Sequence, residues 1–255
     1  MPKLVVSIVT VCFNAEAFIE QTIESVAQQS YDDIEFIIVD GGSVDNTINI
    51  IRRNENNISK WVSESDEGIS DAFNKGFALS SGDYILYLNS DDKLHNSDSI
   101  KELVSYAVVN DLPEFIYGDC NVLNRDTDEV RYRASVEYQP KAFLKGKIIP
   151  HPSLLLHRSY FEKYGVFDIG FSIAMDYELF LRGILKERVF HAPCLVTDVR
   201  DGGVSTKYRS LTVEEIIKAL VKNHHIQPGF EAFKLRFIYF IRGLIRRIVS
   251  VFRFW

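Results

Sequence analysis

Three apolar runs, each stopping at a polar cluster, restrict the fold of this chain more than any other feature. Leu4–Phe13, Glu35–Asp40 and Asp83–Leu88 carry little polar alternation. Such runs fit strands buried on both faces of a parallel sheet. Helical spacing fills the intervals. Phe18, Ile19, Ile23 and Val26 recur on one face behind Asn14, which is placed to cap that helix. Asp45 to about Arg53 and Ser70–Leu79 read as two more helices, with a short strand at Lys60–Glu64. Strand and helix alternating at this length mean βαβ units. The second half is less regular. Ser97–Val109 reads as a helix capped by Asn96 or Ser97, and Phe115–Leu123 and Val130–Ala134 as a hairpin around the polar turn Asn124–Glu129. Ser153–Leu156 is strand-like, Val189–Val199 is extended, and Arg158–Tyr164, Tyr177–Lys186 and Thr212–His225 are helical. The expectation is one α/β, Rossmann-like domain over 1–225 with a mostly parallel central sheet, followed by an appendage at 226–255.

Composition narrows the function. The chain has 255 residues, enough for one domain with a sizeable core, and a net charge of −6, which argues against a nucleic-acid binder. The average hides an asymmetry. The last 24 residues hold Lys234, Arg236, Arg242, Arg246, Arg247 and Arg253 and no acid, so an acidic body carries a basic tail. Cys12, Cys120 and Cys194 are odd in number and widely spaced, as expected of reduced thiols in a cytoplasmic protein. Neither a secretory signal nor an apolar stretch of about 18 residues is expected.

In an open parallel sheet, ligands bind beyond the carboxyl ends of the strands. There the chain places Thr10 and Asn14, then Asp40-Gly41-Gly42-Ser43, then Glu64 and Asp66, then Asn89, Asp91 and Asp92. One acidic end is ordinary turn chemistry; four together outline a crevice. The dinucleotide, P-loop and nucleophile-elbow fingerprints are absent. Asp91 and Asp92 are adjacent carboxylates that repel each other unless a cation intervenes. Mg²⁺ and Mn²⁺ are often held by one or two carboxylates plus substrate phosphates. The plainer alternative is a solvated Asp-Asp turn.

The segments VSIVTVCFN, FIIVDGGSVDNT, SESDEGISDAFNKG and GDYILYLNSDD, in this order and spacing, resemble the family 2 glycosyltransferases with the GT-A fold. The resemblance is strong over roughly 4–95 and looser over 145–205. It implies a nucleotide-sugar donor bound by residues 1–95 and an acceptor half over 96–225. Thr10, Asn14, Asp40, Gly42, Ser43, Asp66, Asn74, Lys75, Asn89 and Asp91 are the implied donor-binding residues, with Asp40 on the nucleobase. Asp91 and Asp92 are the implied metal ligands for Mn²⁺ or Mg²⁺. One departure is Asn89, which stands where the usual D-x-D motif has its first aspartate. HPSLLLHRSYFEKYGVFD followed by Asp176 resembles the acceptor half, in which an aspartate placed like Asp176 is the general base. Glu178 is the fallback base, His151 a candidate acceptor contact and His191 a candidate third metal ligand. For Lys75, His151 and His191 the alternatives are a solvated lysine and structural histidines. The loop Arg200–Ser205 resembles a flexible active-site loop.

The tail carries a different signal. At about 100° per residue, Phe237, Phe240, Ile241, Leu244, Ile245, Ile248, Val251, Phe252 and Trp255 share one face, and Arg236, Arg242, Arg246, Arg247 and Arg253 the other. Arginines opposite an aromatic face are the pattern of an interfacial membrane helix over 233–255; packing on the body or a partner is the alternative. The expected protein is an inverting, metal-dependent glycosyltransferase on the cytoplasmic face of a membrane. It moves a sugar from a UDP-sugar to a polyprenyl-linked glycan, as in bacterial O-antigen or capsule assembly. A sugar nucleotidyltransferase and a non-catalytic nucleotide-sugar sensor or membrane scaffold are the competing readings.

Overall fold

The computed structural model describes residues 3–239. In chain order the elements are β1 (Val6–Cys12), α1 (Ile19–Ala27), β2 (Ile34–Asp40), α2 (Thr47–Arg53), β3 (Lys60–Ser63), α3 (Ile69–Leu79), β4 (Tyr84–Tyr87), β5 (Lys93–Leu94) and α4 (Ser99–Val109). β6 (Phe115–Leu123), β7 (Val130–Ala134), α5 (Pro140–Phe143), β8 (Leu154–His157), α6 (Arg158–Tyr164), α7 (Met175–Leu181), β9 (Val189–Arg200), α8 (Val204–Lys207) and α9 (Arg209–Lys222) follow. Residues 230–239 are also helical; the rest of the expected tail helix lies outside the described residues.

Among the described residues, one sheet runs β3-β2-β1-β4-β8-β6-β9-β5, with β7 paired to β6. β3, β2, β1 and β4 are mutually parallel, so their carboxyl ends share one edge. Beyond β4 the sheet is mixed: β8 is antiparallel to β4 and β6, whereas β9 is parallel to β6. The central strand explains the layering. Val9 and Val11 of β1 enter one cluster with α3, α6, α7 and α9, while Val6, Ile8 and Cys12 enter another with α1, α2 and α4. This is the period-2 alternation of a strand covered by helices on both faces.

Local details depart from expectation. Asn14 does not cap α1: its φ is 51°, and its Oδ1 accepts from Val44 N–H instead. A short amide tolerates that left-handed turn by bonding nearby backbone. Neither Asn96 nor Ser97 caps α4, which starts at Ser99 after Asp98. α7 starts at Met175 rather than Tyr177, so Asp176 lies inside its first turn.

The two halves are clasped by side chains. Asn74 of α3 donates to Phe167 O and accepts from Phe167 N–H, both at 2.9 Å. Ser70 Oγ donates to Phe171 O at 2.6 Å. Glu215 of α9 is buried and accepts three N–H groups, from Ser172, Ile173 and Ala174. Those N–H groups lead into α7, the last of them at its N-cap residue, so a distant helix fixes the start of α7.

Gly76 sets the distance between α3 and β1, because a Cβ there would lie 2.2 Å from Val9 Cγ1. Val9 is β-branched, buried and unable to turn away cheaply. Gly76→Ala should therefore lower stability by about 1–3 kcal/mol through overpacking, against the gain its helix propensity would give an exposed site. Equilibrium denaturation decides, and an unchanged or raised midpoint refutes the close-packing account.

Candidate active site

The crevice is built at the shared edge of β1–β4. Asp40 ends β2, is fully buried, and organises the loop after it. Its Oδ2 accepts from Gly42 N–H at 3.0 Å, Ser43 N–H at 2.9 Å and Ser63 Oγ at 2.8 Å, and its Oδ1 from Ser43 Oγ at 2.5 Å. Ser43 Oγ in turn accepts from Asn14 N–H at 2.7 Å. Asp40, Gly42, Ser43 and Asn14 thus form one bonded floor. The Asp66 carboxylate lies against Gly41, where a Cβ would meet its Oδ2 at 2.4 Å and push it aside, so Asp66 sits over the same floor.

Lys75 lies at the rim but is already engaged, at 3.0 Å from Glu64 and 3.2 Å from Asp71. The hydrogen bond to Glu64, with Asp71 beside it, raises its pKa. Thr10 is not at the crevice surface: it is fully buried in β1, its hydroxyl without a partner. Asn74 is occupied by the clasp to Phe167.

The two adjacent aspartates differ sharply. Asp92 points inward: its Oδ2 accepts from Asn89 Nδ2 at 2.9 Å and its Oδ1 from Arg200 N–H at 3.0 Å. Burial and then the Asp91 charge push its pKa up to about 7, against the lowering bonds from Asn89 and Arg200. Asp91 is half-exposed and ion-paired with Arg125 at 2.7 Å. Asn89, in place of the family's first aspartate, braces Asp92 through a neutral amide.

No group of three or more His, Cys, Asp or Glu side chains suited to a metal occurs among the described residues. The donor set nevertheless fits a cation held by the outward Asp91 carboxylate together with substrate oxygens, the habit of Mg²⁺ and Mn²⁺. His191 is not part of such a set. Its Nε2 bonds Asp119 Oδ1 at 2.7 Å and its ring stacks on Tyr117, so the expectation of a third ligand is corrected to a structural pairing.

The second half of the chain supplies one more carboxylate. His151 Nδ1 lies 3.1 Å from Asp176 Oδ2, and Asp176 Oδ1 accepts from Tyr177 N–H at 2.7 Å. His151 Nε2 is buried without a partner. His151 also lies close enough to Asp92 to favour its charge. One imidazole is therefore paired with Asp176 and near Asp92. Glu178 does not share this place. Its carboxylate is fully buried against Arg182 at 2.5 Å and Lys222 at 2.8 Å, and although burial opposes it, those bonds lower its pKa. A fallback base role is corrected to an interior ion cluster. Sequence reading missed Arg125 and Glu215, and took Arg200 only as the start of a loop, because their partners lie 34 to 179 residues away.

With this geometry, the family model for glycosyl transferase family 2 matches residues 7–165. The chain belongs to glycosyl transferase family 2. It is 31% identical over 207 residues to an uncharacterized glycosyltransferase of Mycobacterium tuberculosis (strain H37Rv), covering 79% of this chain and 77% of the relative. A PGL/p-HBAD biosynthesis glycosyltransferase of Mycobacterium bovis is 27% identical over 194 residues, covering 75% and 72%. In fold the chain is similar to S. aureus TarS 1-349 in complex with UDP-GlcNAc, with TM-score 0.67 and 14% identity over 86% of this chain and 67% of that one. It also resembles the mannosyltransferase PcManGT from Pyrobaculum calidifontis in complex with GDP-Man and Mn²⁺, with TM-score 0.63 and 17% identity over 91% and 67%.

The inward aspartate gives a pH signature. A carboxyl whose folded pKa is raised binds its proton more tightly in the folded state, so it costs stability as pH rises from the usual value near 4 to about 7. Without divalent ions, Asp92→Asn should therefore gain stability relative to wild type between pH 5 and pH 8. Urea denaturation at both values checks this, and a pH-independent difference would mean that Asp92 is not an unneutralised buried acid.

Proposed function

We propose that this family 2 enzyme is an inverting glycosyltransferase taking one sugar from a UDP-sugar, with a divalent ion, to a glycan acceptor on a polyprenyl lipid. The observation that carries the reading is that Asp176 pairs with His151, an imidazole close enough to Asp92 to favour its charge. A base and a leaving-group site must face each other across the sugar for a single displacement. Residues 1–95 would hold the donor and 96–225 the acceptor. The UDP-GlcNAc and GDP-Man complexes of the fold relatives support a nucleotide-sugar donor.

In this reading the nucleoside lies on the floor built by Asp40, Gly42 and Ser43, the base competing with Ser43 for the Asp40 carboxylate. Asp66 and Lys75 border the ribose and phosphates. Asp91 would hold the ion, with Asp92 and Asn89 behind it. When bound, a divalent ion balances the charge that builds on the departing diphosphate. Asp176 takes the proton of the acceptor hydroxyl as that oxygen bonds C1 and the C1–phosphate oxygen bond breaks. The electron pair leaves with UDP and the anomeric centre inverts.

UDP release from UDP-glucose, UDP-galactose and UDP-GlcNAc with Mn²⁺ tests the reading, water serving as the slow acceptor. Asp176→Asn should lower turnover by about 10²–10⁴-fold while UDP binding stays within a few-fold of wild type. Turnover near the wild-type rate in that variant removes Asp176 from the base role. No UDP release from any of the three donors sinks the donor assignment.

We also infer a membrane role for 233–255, on the cytoplasmic face. Its start, 230–239, turns Ala232 and Leu235 toward the body while Phe230, Phe233 and Phe237 stay exposed. No helix among the described residues is long and apolar enough to cross a membrane. An exposed aromatic row continuing into a basic segment supports surface attachment, to which anionic lipid adds about 1 kcal/mol per arginine. The full chain should co-sediment with phosphatidylglycerol vesicles, less so at high salt, and a chain ending at Phe230 should not. Equal sedimentation of the two forms refutes the tail as anchor.

A further inference from the structure

The cation beside Asp91 is not explained by the transfer chemistry. Arg125, in the β6–β7 turn, brings Nη1 to 2.7 Å from Asp91 Oδ2. Its guanidinium carbon lies 4.9 Å over the Phe18 ring, and its backbone N–H donates to Asp201 Oδ1 at 3.2 Å. The turn that carries it is held from beneath. Asp128, in the same turn, accepts from Arg200 Nε at 2.9 Å and Nη2 at 2.8 Å. The Arg200 side chain is wholly buried, so the backbone around Arg125 is anchored. The Arg125 side chain itself is 39% exposed, and it alone has to move for Asp91 to change partner.

A guanidinium and a divalent ion compete for the same Asp91 oxygen. Side by side they repel, because both are cations in a partly desolvated place. A diphosphate resolves the conflict, since it brings charge enough for both and an arginine fork matches phosphate oxygens.

We propose that Arg125 is a donor-responsive gate: it occupies Asp91 in the free enzyme, keeps a lone divalent ion out, and passes to the donor diphosphate when the nucleotide sugar arrives. The proposal rests on Asp91 being the metal carboxylate. Donor and ion then enter together rather than ion first. The gate has an unusual sign. Removing a residue from a metal site ordinarily weakens metal binding, whereas here it strengthens binding of the ion alone.

Mn²⁺ alone, followed by water-proton relaxation, and UDP or uridine with Mn²⁺ present, followed by calorimetry, form the test on wild type, Arg125→Ala, Arg125→Lys and Asp91→Asn. Arg125→Ala should bind free Mn²⁺ about three- to fivefold more tightly, the scale of a partly exposed ion pair. It should bind UDP about tenfold or more weakly, the scale of a lost charged hydrogen bond, with uridine unchanged. Arg125→Lys should fall between, and carries the comparison if the alanine variant does not fold. Unaltered Mn²⁺ affinity in both Arg125 variants, or unaltered UDP affinity, overturns the gate. If Asp91→Asn is impaired while the Arg125 variants match wild type, the gate alone fails. If Asp91→Asn also matches wild type, the metal assignment fails and the gate with it.

Discussion

The buried guanidinium of Arg200 is the interaction on which the site depends. Burying an arginine costs several kcal/mol unless its donors are matched, and here they are. Nε and Nη2 meet Asp128, Nη2 also meets Gln21 Oε1 at 2.6 Å, and Nη1 meets Asp91 O at 2.5 Å. The Phe18 ring lies 4.6 Å from the guanidinium carbon, and the backbone N–H of Arg200 reaches Asp92. One residue thus joins the end of β9, the β6–β7 turn, α1 and the aspartate pair. Asp91 can face outward because its own carbonyl, and the carboxylate of its neighbour, are held from below.

The second half of the chain is positioned by the same economy of long-range polar contacts. α7 carries Asp176 in its first turn, and Glu215 of α9 closes the N–H groups leading into that turn. Asn74 and Ser70 of α3 grip the preceding loop at Phe167 and Phe171. The two halves of the chain therefore share no hinge of free loop at this point; the loop before Asp176, the proposed base, is bonded from both sides. Rigid placement of this kind is what a base needs when misplacement by about 1 Å costs about a hundredfold in rate.

The first half was legible because its signals are local. Strands buried on both faces read as apolar runs, helices show a 3.6 period, and the strand-end rule points to the crevice. The adjacency of Asp91 and Asp92 was visible, but not which one turns inward, since that is decided by Arg200 from the far end of the chain. Asn14 was misread because an asparagine before a helix is both a capping residue and a left-handed turn former. Glu178 and His191 were misread for a related reason. The partner of His191, Asp119, lies 72 residues away, and although Arg182 at i,i+4 from Glu178 is a readable pair, Lys222, which completes its burial, lies 44 residues away. The direction of β8 was equally hidden. A four-residue apolar run does not state whether it runs with or against its neighbours.

The distance between Arg200 and the aspartates it serves bears on how the protein is made. The strands that present Asp91 and Asp92 leave the ribosome more than 100 residues before Arg200 does. At ordinary elongation rates of about 5–20 residues per second, the nascent first half waits on the order of ten seconds with two adjacent acids and no buried counter-charge. Its completion belongs to the end of synthesis, when β9 inserts beside β6 and brings the arginine in. Early termination in β9 would leave a chain with a formed β1–β4 core and an unfinished site.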